Sequence, residues 1–507
     1  MKEDTTNMFI PDFYVGRNIF ITGANGYLGK ALIEKLLRSC PKVGKIYMLM
    51  RPKKGLDVNE RLKKIVENKL FDTLRNEQPS CFDKLIPIVG DIHAENLGLR
   101  PIDRQILIEK VTIIVNIAAN VRFDITLKNA ILSNTRSARD ICILAQNMKN
   151  LAALVHISST FTQTDKPVVN EELYPYGVDW KKMIKVAESV DDDILTTFTA
   201  KCVGSFPNTY VFSKRLAEEV INDYSKSLPC VMIRPSIVLP TMDEPVKGWI
   251  DNFNGPMTLY MAGGKGIVQV TYCNSDNDCQ YVPVDVFVKA VIIVTCIRGT
   301  KSVIEDDTFH IYNCSDLTHV SIKKFADISA RLLEQIPFEK MIWMPSNSTT
   351  SNYLKYYILI ILLHIMPALF IDGILKLLNI NPMLLKLQRK IYMATTVLAF
   401  FVLKKWQFRN EKLMKVFNSL SEDNWKIFGF DKTSFLTHDY AKNAILGTKQ
   451  FLLNEDIMNL VAVKRHYNRM KWLDRIVRTL FVLIVLWILY RKNTLFYIIG
   501  AFFPLSV

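Results

Sequence analysis

The sequence predicts an α/β protein that begins with a doubly wound parallel sheet, because short apolar runs alternate with amphipathic helical patterns over its first half. Runs that are apolar on both faces predict strands covered by helices on both sides. Such runs occupy residues 18–22, 45–50, 84–90, 111–119, 151–158 and 229–238. We expect the sheet to end with the last run, and residues 240 to about 345 to form a smaller lobe beside it.

The chain is long enough for several folded units. It has 507 residues, of which 49% are hydrophobic and 22% charged, and its mean hydropathy is +0.13. A chain of this length rarely folds around a single hydrophobic core and usually divides into domains. We place the sheet with its lobe at 1–290, a connecting segment at 291–350, a mainly helical domain at 351–460, and a basic collar with an apolar tail at 461–507.

Apolar segments towards the C-terminus predict contact with a membrane. Residues 356–371 and 391–403 are apolar but too short for a convincing span. Residues 479–490 and 495–507 follow a basic collar, which suits a bilayer interface. A tilted span, a re-entrant hairpin and an in-plane anchor all fit this tail, and a buried helix pair is the alternative. The collar consists of Lys464, Arg465, Arg469, Lys471, Arg475 and Arg478.

The formal net charge of +15 fits a membrane surface or an anionic ligand better than nucleic acid, because no basic helix with interleaved aromatics and no zinc-finger spacing is present. Nine cysteines without a CxxC pair indicate reduced thiols in a reducing compartment. Seven histidines without ligand spacing predict no metal site. We also expect neither a cleaved secretory signal nor a peroxisomal tripeptide.

Three glycines stand between the first strand and the helix that follows it. Gly23 permits a sharp turn, Gly26 lets a pyrophosphate approach bare backbone, and Gly29 lets the helix pack closely against the strand. The N–H groups at the start of the helix favour an anion. The pattern therefore predicts a Rossmann dinucleotide site, the alternative being a tight turn without ligand. Further cofactor-binding positions in the same segment are Thr22, Asn25, Tyr27 and Leu28.

The end of the second strand indicates which dinucleotide is bound. Arg51, followed by Lys53 and Lys54, offers a guanidinium fork to the 2′-phosphate of NADPH, whereas NAD would favour a carboxylate there. We therefore expect NADPH as the cofactor. The alternative is a solvated basic turn.

The next two strands end in residues that suit the rest of the dinucleotide. Asp91 can accept a hydrogen bond from the adenine amino group, and Ile92 can pack on the adenine ring. Ala118, with Ala119, is small enough for the dinucleotide to cross the sheet at its switch point.

A tyrosine and a lysine four residues apart predict the catalytic pair. Tyr210 and Lys214 share one face of a predicted helix, where the ammonium can lower the pKa of the tyrosine so that it protonates a developing alkoxide. Tyr467 and Lys471 have the same spacing but lie in the basic collar. Position after a sheet strand therefore favours Tyr210.

A hydroxyl at the end of the fifth strand would hold the substrate oxygen. Ser159 is the preferred candidate, and Ser158 and Thr160 are the alternatives. The competing interpretation of the whole set is structural hydroxyls and a surface lysine. His156, in the apolar strand just before them, is typical of a hydrogen-bonded core histidine.

Successive blocks of the chain resemble the alcohol-forming fatty acyl-CoA reductases, a family of extended short-chain dehydrogenases. The resemblance covers nearly the whole chain, and its most specific blocks are KGWIDN and the C-terminal ones. The blocks are ITGANGYLGKALIEKLLRS, IYMLMRPKKG, AANVRFD, YVFSKRLAE, IRPSIV, EPVKGWIDNFNGP, HIMPALFID, WQFRN, FGFD and ILGTKQFLLNED.

The resemblance implies that NADPH reduces a long-chain acyl-CoA to an aldehyde and then to the primary alcohol, with release of CoA. It implies that Tyr210 is the acid, that Lys214 tunes it and holds the ribose, and that Ser159 polarises the carbonyl. The lobe after the sheet would bind the substrate. Two departures affect geometry more than reaction class: Ser159 stands where the family commonly has threonine, and NTRSAR at 134–139 lacks a glycine-threonine pair.

Two other functions stay open on the sequence. A membrane-attached sterol or nucleotide-sugar dehydrogenase would keep Tyr210 and Lys214 but oxidise a secondary alcohol. A non-catalytic NADPH-binding membrane scaffold would need neither. We expect a location at the endoplasmic reticulum membrane with the catalytic domain facing the cytosol, the peroxisomal membrane being the alternative. The oligomeric state, including a homodimer, is left open.

Overall fold

A seven-stranded parallel sheet forms the centre of the molecule. The structure, a computed structural model, describes residues 8–301, 309–315 and 317–491, so the predicted apolar segment 495–507 lies outside the described residues. The sheet order is β7-β6-β5-β4-β1-β2-β3, with every neighbouring pair parallel. The strands are β1 Ile19–Thr22, β2 Ile46–Met50, β3 Leu85–Val89, β4 Ile113–Asn116, β5 Ala153–Ile157, β6 Cys230–Pro235 and β7 His310–Cys314.

The predicted α/β class and all six predicted strands are confirmed, but the expectation that the sheet ends at β6 is wrong. β7 pairs with β6 in parallel over its whole length. Its sequence, HIYNC, mixes polar and apolar residues, so it carries no clear strand signal. Asn313 is nevertheless buried, because its side-chain amide donates to the carbonyl oxygens of Val169 and Arg409.

Helices cover both faces of this sheet, as a doubly wound fold requires. The main ones are α1 Tyr27–Ser39, Val58–Val66, Pro101–Lys110, Ser137–Gln146, α2 Thr209–Ser225 and α3 Val284–Thr300. Shorter or peripheral helices are Ile10–Phe13, Asp72–Glu77, Leu127–Ala130, Trp180–Ser189, Asp192–Val203, Pro256–Gly264 and Ile322–Gln335. The C-terminal part contains α4 Tyr353–Leu377, α5 Leu384–Leu403, Glu411–Asn418, Glu422–Phe428, His438–Gly447 and α6 Leu460–Arg491.

The C-terminal helices are joined to the sheet domain by short parallel strand pairs. Gln407–Phe408 pairs with Val168–Val169, and Ser348–Thr350 pairs with Val270–Tyr272. A third pair, Ile237–Leu239 with Tyr281–Pro283, continues from the end of β6. These pairings cross the predicted domain boundaries, which stay predictions.

The KGWIDN block connects the glycine-rich helix to the C-terminal helices. The Trp249 ring is buried and stacks on Tyr27 of α1, with ring centroids 5.0 Å apart. Gly248 has a φ of 75°, and a Cβ there would lie 2.0 Å from the carbonyl oxygen of Asn443. A Cβ on Gly447 would lie 1.8 Å from the carbonyl oxygen of Gly248. The two backbones therefore touch where only glycines leave enough room.

Two apolar helices leave much of their surface uncovered. Among the described residues, α4 alone is long and apolar enough, by length and composition, to cross a membrane, and it extends beyond the apolar run predicted at 356–371. Its inner face is held by His364, whose Nε2 accepts a hydrogen bond from the backbone N–H of Gln269 at 2.9 Å. The second helix is α6, on which nearly all side chains from Ile476 to Arg491 are exposed.

Gly447→Ala should destabilise the protein by about 1–3 kcal/mol, because an added methyl group would force the Gly248 backbone away. Gly373→Ala is the matched control, since Gly373 also lies in a helix but a methyl group added there would meet no atom within 4 Å. Its helix should be unchanged or slightly stabilised. Thermal unfolding of the detergent-solubilised proteins would measure both effects, and equal melting temperatures for the two variants would contradict the close approach.

Candidate active site and cofactor cradle

The glycine turn leaves an open cradle at the start of α1. Gly23 has a φ of 73°, and a Cβ there would lie 2.9 Å from the backbone nitrogen of Ala118. A Cβ on Gly29 would lie 2.4 Å from the Gly23 carbonyl oxygen, so the helix packs directly on the turn. Gly26 is exposed and α1 has no side-chain cap. The first N–H groups of α1 are thus available to a pyrophosphate, and the cradle fits a dinucleotide.

The switch point between β1 and β4 is fixed by hydrogen bonds of two predicted cofactor residues. Thr22 Oγ1 donates to Asn116 Oδ1 at 2.6 Å and accepts from the backbone N–H of Ala118 at 3.1 Å. Asn25 and Leu28 lie partly exposed in the same turn. The phenol of Tyr27 points the other way and donates to the carbonyl oxygen of Leu239, so only the backbone of Tyr27 faces the cradle.

The residues predicted for the adenosine end lie together. Arg51 Nη1 donates to Asp91 Oδ2 at 2.9 Å, and both side chains reach solvent. Ile92 is half-buried next to Asp91. A further cation is present, because the Arg61 guanidinium donates to the carbonyl oxygen of Arg51. Burial and the nearby Arg51 guanidinium lower the pKa of Arg61.

The predicted catalytic pair lies on the first turns of α2. Lys214 is buried, and its Nζ donates to the carbonyl oxygen of Ile157 at 2.6 Å. Tyr210 is half-buried against Phe123, with ring centroids 5.7 Å apart. Burial raises the pKa of Tyr210 to about 12, instead of the expected lowering by Lys214. Burial also lowers the pKa of Lys214 to about 8, against the opposing field of the Glu218 carboxylate.

The three candidate hydroxyls after β5 differ in their partners. Ser158 Oγ is buried and donates to Glu218 Oε1 at 2.6 Å, and Thr160 Oγ1 is buried and donates to the carbonyl oxygen of Pro235. Ser159 is partly exposed, and its Oγ accepts from the backbone N–H of Phe161 while its own proton stays available. This difference favours Ser159 for the substrate oxygen.

A buried ion pair holds the hydroxyl segment against α2. The guanidinium of Arg234 binds both carboxylate oxygens of Glu218, at 2.8 and 2.7 Å. Burial raises the pKa of Glu218, but Arg234, Arg215 and the Ser158 hydroxyl together lower it by more, so the pKa lies below its usual value. Thr162 and Gln163 donate to the same carboxylate, each at 2.9 Å. Glu218 is therefore a charged anchor for the segment that contains Ser159.

The structure places three further residues at the cofactor cradle or beside the Tyr210–Lys214 pair, and the sequence predicts no active-site role for them. Arg61 lies ten residues beyond Arg51, so spacing alone does not connect them. Asn208 caps α2, a preference visible in the sequence, but its buried Nδ2 has no hydrogen-bond partner and lies two residues before Tyr210. His156, predicted to be a core histidine, is indeed buried, yet its Nε2 lies 3.3 Å from Nζ of Lys214.

An apolar cavity of about 260 Å³ lies between the lobe and the C-terminal helices. Its wall includes Ile237 and Phe401, which also pack in the aromatic cluster around Tyr210. Phe401 stacks on Phe123, with ring centroids 5.9 Å apart, and Phe123 in turn contacts Tyr210. The cavity thus shares a wall with the candidate active site.

Two family models match the chain. An NAD-binding model described as "Male sterility protein" matches residues 21–291, and a model of the Sterile domain with the same description matches residues 363–455. The first contains the cradle, Ser159, Tyr210 and Lys214, and supports a nicotinamide cofactor.

Similar proteins and structures agree with this assignment. The chain is 34% identical to "Fatty acyl-CoA reductase 1" of Homo sapiens over 480 residues, 94% of this chain and 92% of that protein. It is 35% identical to the protein of that name from Xenopus laevis over 466 residues, 91% of this chain and 90% of that protein.

Among solved structures, a nonribosomal peptide synthetase reductase domain from Mycobacterium tuberculosis shares the fold with a TM-score of 0.57 at 17% identity, covering 91% of this chain and 97% of its own. The terminal reductase domain of the myxalamid pathway has a TM-score of 0.55 at 16% identity, covering 87% and 93%. Such identities show the fold alone. The matched models and the 34% identity over nearly the whole length show that this chain belongs to the male sterility family of fatty acyl-CoA reductases.

Proposed function

We propose that the protein reduces long-chain fatty acyl-CoA with NADPH to the primary alcohol, through a bound aldehyde and with release of CoA. The observation that carries the proposal is twofold. The Lys214 ammonium binds the carbonyl oxygen of Ile157, two residues before Ser159, and the aromatic cluster that contains Tyr210 shares Ile237 and Phe401 with the apolar cavity. The relatives named as fatty acyl-CoA reductases support the substrate class.

The chemistry needs hydride addition and proton transfer, twice. When bound, the reduced nicotinamide supplies hydride. Ser159 would donate a hydrogen bond to the thioester carbonyl. Asn208, whose Nδ2 has no hydrogen-bond partner, is a second candidate donor at the start of α2. Loss of CoA thiolate from the first adduct, with protonation of the thiolate from solvent, gives the aldehyde, and the second reduction would consume a second NADPH. In the second round Tyr210, which its high pKa keeps protonated, would deliver its proton to the alkoxide oxygen.

Lys214 would hold the ribose. Its positive charge would also stabilise the phenolate form of Tyr210, which burial disfavours. Its buried ammonium lies at the end of β5, one helical turn from Tyr210. A positive charge beside the phenol stabilises the phenolate left after proton transfer. This role explains a buried lysine, which costs free energy unless its charge is used.

We propose that the uncovered apolar faces of α4 and α6 attach the enzyme to the endoplasmic reticulum membrane, with the peroxisomal membrane as the alternative. Exposed side chains on α4 include Leu362, Leu369 and Phe370, and basic residues of the collar precede the exposed part of α6. None of the nine cysteines forms a disulfide, which fits a catalytic domain in the cytosol.

The decisive assay incubates membranes containing the protein with NADPH and labelled hexadecanoyl-CoA and follows alcohol and aldehyde. We expect alcohol from the wild type and at least about a thousandfold less from Tyr210→Phe, because the proton donor is lost while the ring remains. NADPH binding, measured by fluorescence, should persist in this variant. Tyr224→Phe is the matched control, because Tyr224 lies on the same helix but far from the dinucleotide cradle and outside the cavity wall, and this variant should stay active. No reduced product from any acyl-CoA would overturn the proposal, and oxidation of a secondary alcohol would favour the dehydrogenase alternative.

Arg51→Ala should raise the KM for NADPH by about 10- to 100-fold and leave the KM for NADH nearly unchanged, because only NADPH carries the 2′-phosphate. Arg100→Ala is the control, since Arg100 is also an exposed arginine paired with an aspartate, at 2.6 Å from Asp103. Steady-state kinetics with both cofactors would measure the effect. Equal changes for NADPH and NADH would contradict the assignment.

A further inference from the structure

The apolar cavity begins at Ile237 and Phe401, which it shares with the aromatic cluster around Tyr210, and its other walls lie in the lobe and the C-terminal helices. Next to Ile237 on the cavity wall is its strand partner Tyr281, and Phe325 packs edge-on against Tyr281 at 6.4 Å between ring centroids. Phe325 in turn contacts Tyr260, at 5.5 Å. These rings form a continuous wall that begins at the cluster around Tyr210 and leads away from the sheet.

The far part of the cavity is closed by Phe338. A Cβ on Gly264 would lie 2.7 Å from the Phe338 ring, which leaves no space between the two residues. Behind the ring stand Lys265 and Lys449, each with its ammonium 5.9 Å from the ring centroid and paired with Glu455. A hydrocarbon that displaced this ion cluster would leave buried charges without partners, at a high cost in free energy. The cavity is therefore closed by the Phe338 ring and also by the charged groups next to it.

We propose that this cavity binds the hydrocarbon chain of the acyl-CoA and that the Phe338 end limits its length. The inference rests on the proposed function, because it places the thioester beside Tyr210 and the chain along the aromatic wall. The binding affinity of an aliphatic chain rises with each methylene that it buries in an apolar site, so a closed end limits the gain. Ala330 lines the cavity on the helix Ile322–Gln335, whose last turn also contributes Leu333 near Phe338.

Ala330→Phe tests the length limit, because the larger ring would occupy the far part of the cavity. We expect the ratio of kcat/KM for octadecanoyl-CoA to that for dodecanoyl-CoA to fall about tenfold or more. Arg331→Phe is the matched control, since it adds the same ring to the exposed side of the same helix and should keep the wild-type ratio. An active Ala330→Phe enzyme with the wild-type ratio would overturn the cavity assignment and leave the reductase function standing.

A labelling experiment on the wild type does not depend on the folding of any variant. Octadecanoyl-CoA with a diazirine at the chain terminus would be photolysed with the membrane-bound protein, and the modified peptides sequenced by mass spectrometry. We expect adducts within Ile322–Gln335 or at Phe338. Adducts confined to the outer face of α4 would overturn the proposal. Failure of the reductase assay together with adducts at Phe338 would instead locate a lipid site and reject the reductase function.

A second, independent observation concerns the buried polar chain behind Lys214. His156 Nε2 lies 3.3 Å from Lys214 Nζ, and His156 Nδ1 lies 3.1 Å from Asn116 Nδ2. The other end of the Asn116 amide lies 2.6 Å from Thr22 Oγ1, which faces the glycine turn. These side chains are all buried, and they cross β5, β4 and β1 in sequence. The chain links the catalytic lysine to the cofactor cradle.

We infer that His156 is a positioning residue for Lys214. With its ammonium protonated, Lys214 donates to Nε2 and to the Ile157 carbonyl oxygen, which together fix the direction of Nζ. Nε2 can accept only when the ring proton sits on Nδ1. The Asn116 amide then presents its oxygen to Nδ1 and its NH2 group to Thr22 Oγ1, which accepts. The charged groups that face this part of the chain are Lys214 itself and Glu218 one turn further along α2.

His156→Leu should lower the reduction rate about tenfold and move the alkaline limb of the pH–rate profile to lower pH, because the Lys214 ammonium loses an acceptor. His156→Gln, whose carbonyl oxygen can accept, should restore the position of the limb. Thr22→Val, at the other end of the chain, should shift the limb in the same direction by less. A uniform loss of rate in His156→Leu, with the limb unmoved and no rescue by glutamine, would show a purely structural role and overturn the inference.

Discussion

The buried ion pair between Glu218 and Arg234 is the constraint on which the active site depends. Neither side chain has exposed surface, so the pair is stable only because each carboxylate oxygen and the guanidinium find partners in fixed positions. Those partners include Ser158, one residue before the hydroxyl that would hold the substrate. Because Glu218 is on α2, one turn after Lys214, the pair sets the distance between the hydroxyl segment and α2. Removal of one partner would leave a buried charge, at a cost of about 3–5 kcal/mol.

A second constraint joins the two halves of the chain. Gly248 and Gly447 bring the backbones of the lobe and of a C-terminal helix into contact, while Trp249 stacks on Tyr27 at the start of α1. The cofactor cradle and the C-terminal helices are therefore parts of one packed body. This arrangement lets α5 contribute Phe401 to a cavity whose other walls come from the lobe.

The same C-terminal helices present very different faces. α5 lines the cavity, whereas α4, which packs beside it, exposes large apolar side chains on its outer face and is tied to the body by His364. A surface of this kind is unfavourable in water and suits a lipid interface. If the acyl cavity lies just beneath it, a membrane-borne substrate has a short path to Tyr210. Binding energy from the chain would then help to hold the thioester carbonyl against the hydroxyl of Ser159.

Short-range patterns of strand, turn and helix are enough to predict the parallel sheet, the glycine turn and the Tyr210–Lys214 pair from the amino-acid order alone. They do not reveal β7, whose mixed polarity is resolved only by partners far along the chain. The meeting of His156 with Lys214 likewise depends on strand register, and the Gly248–Gly447 contact on the packing of segments that lie about two hundred residues apart in the sequence. Hydrogen-bond partners and close contacts of this kind follow from the three-dimensional arrangement, because a polar group that is buried must form a hydrogen bond with a group that the fold brings next to it.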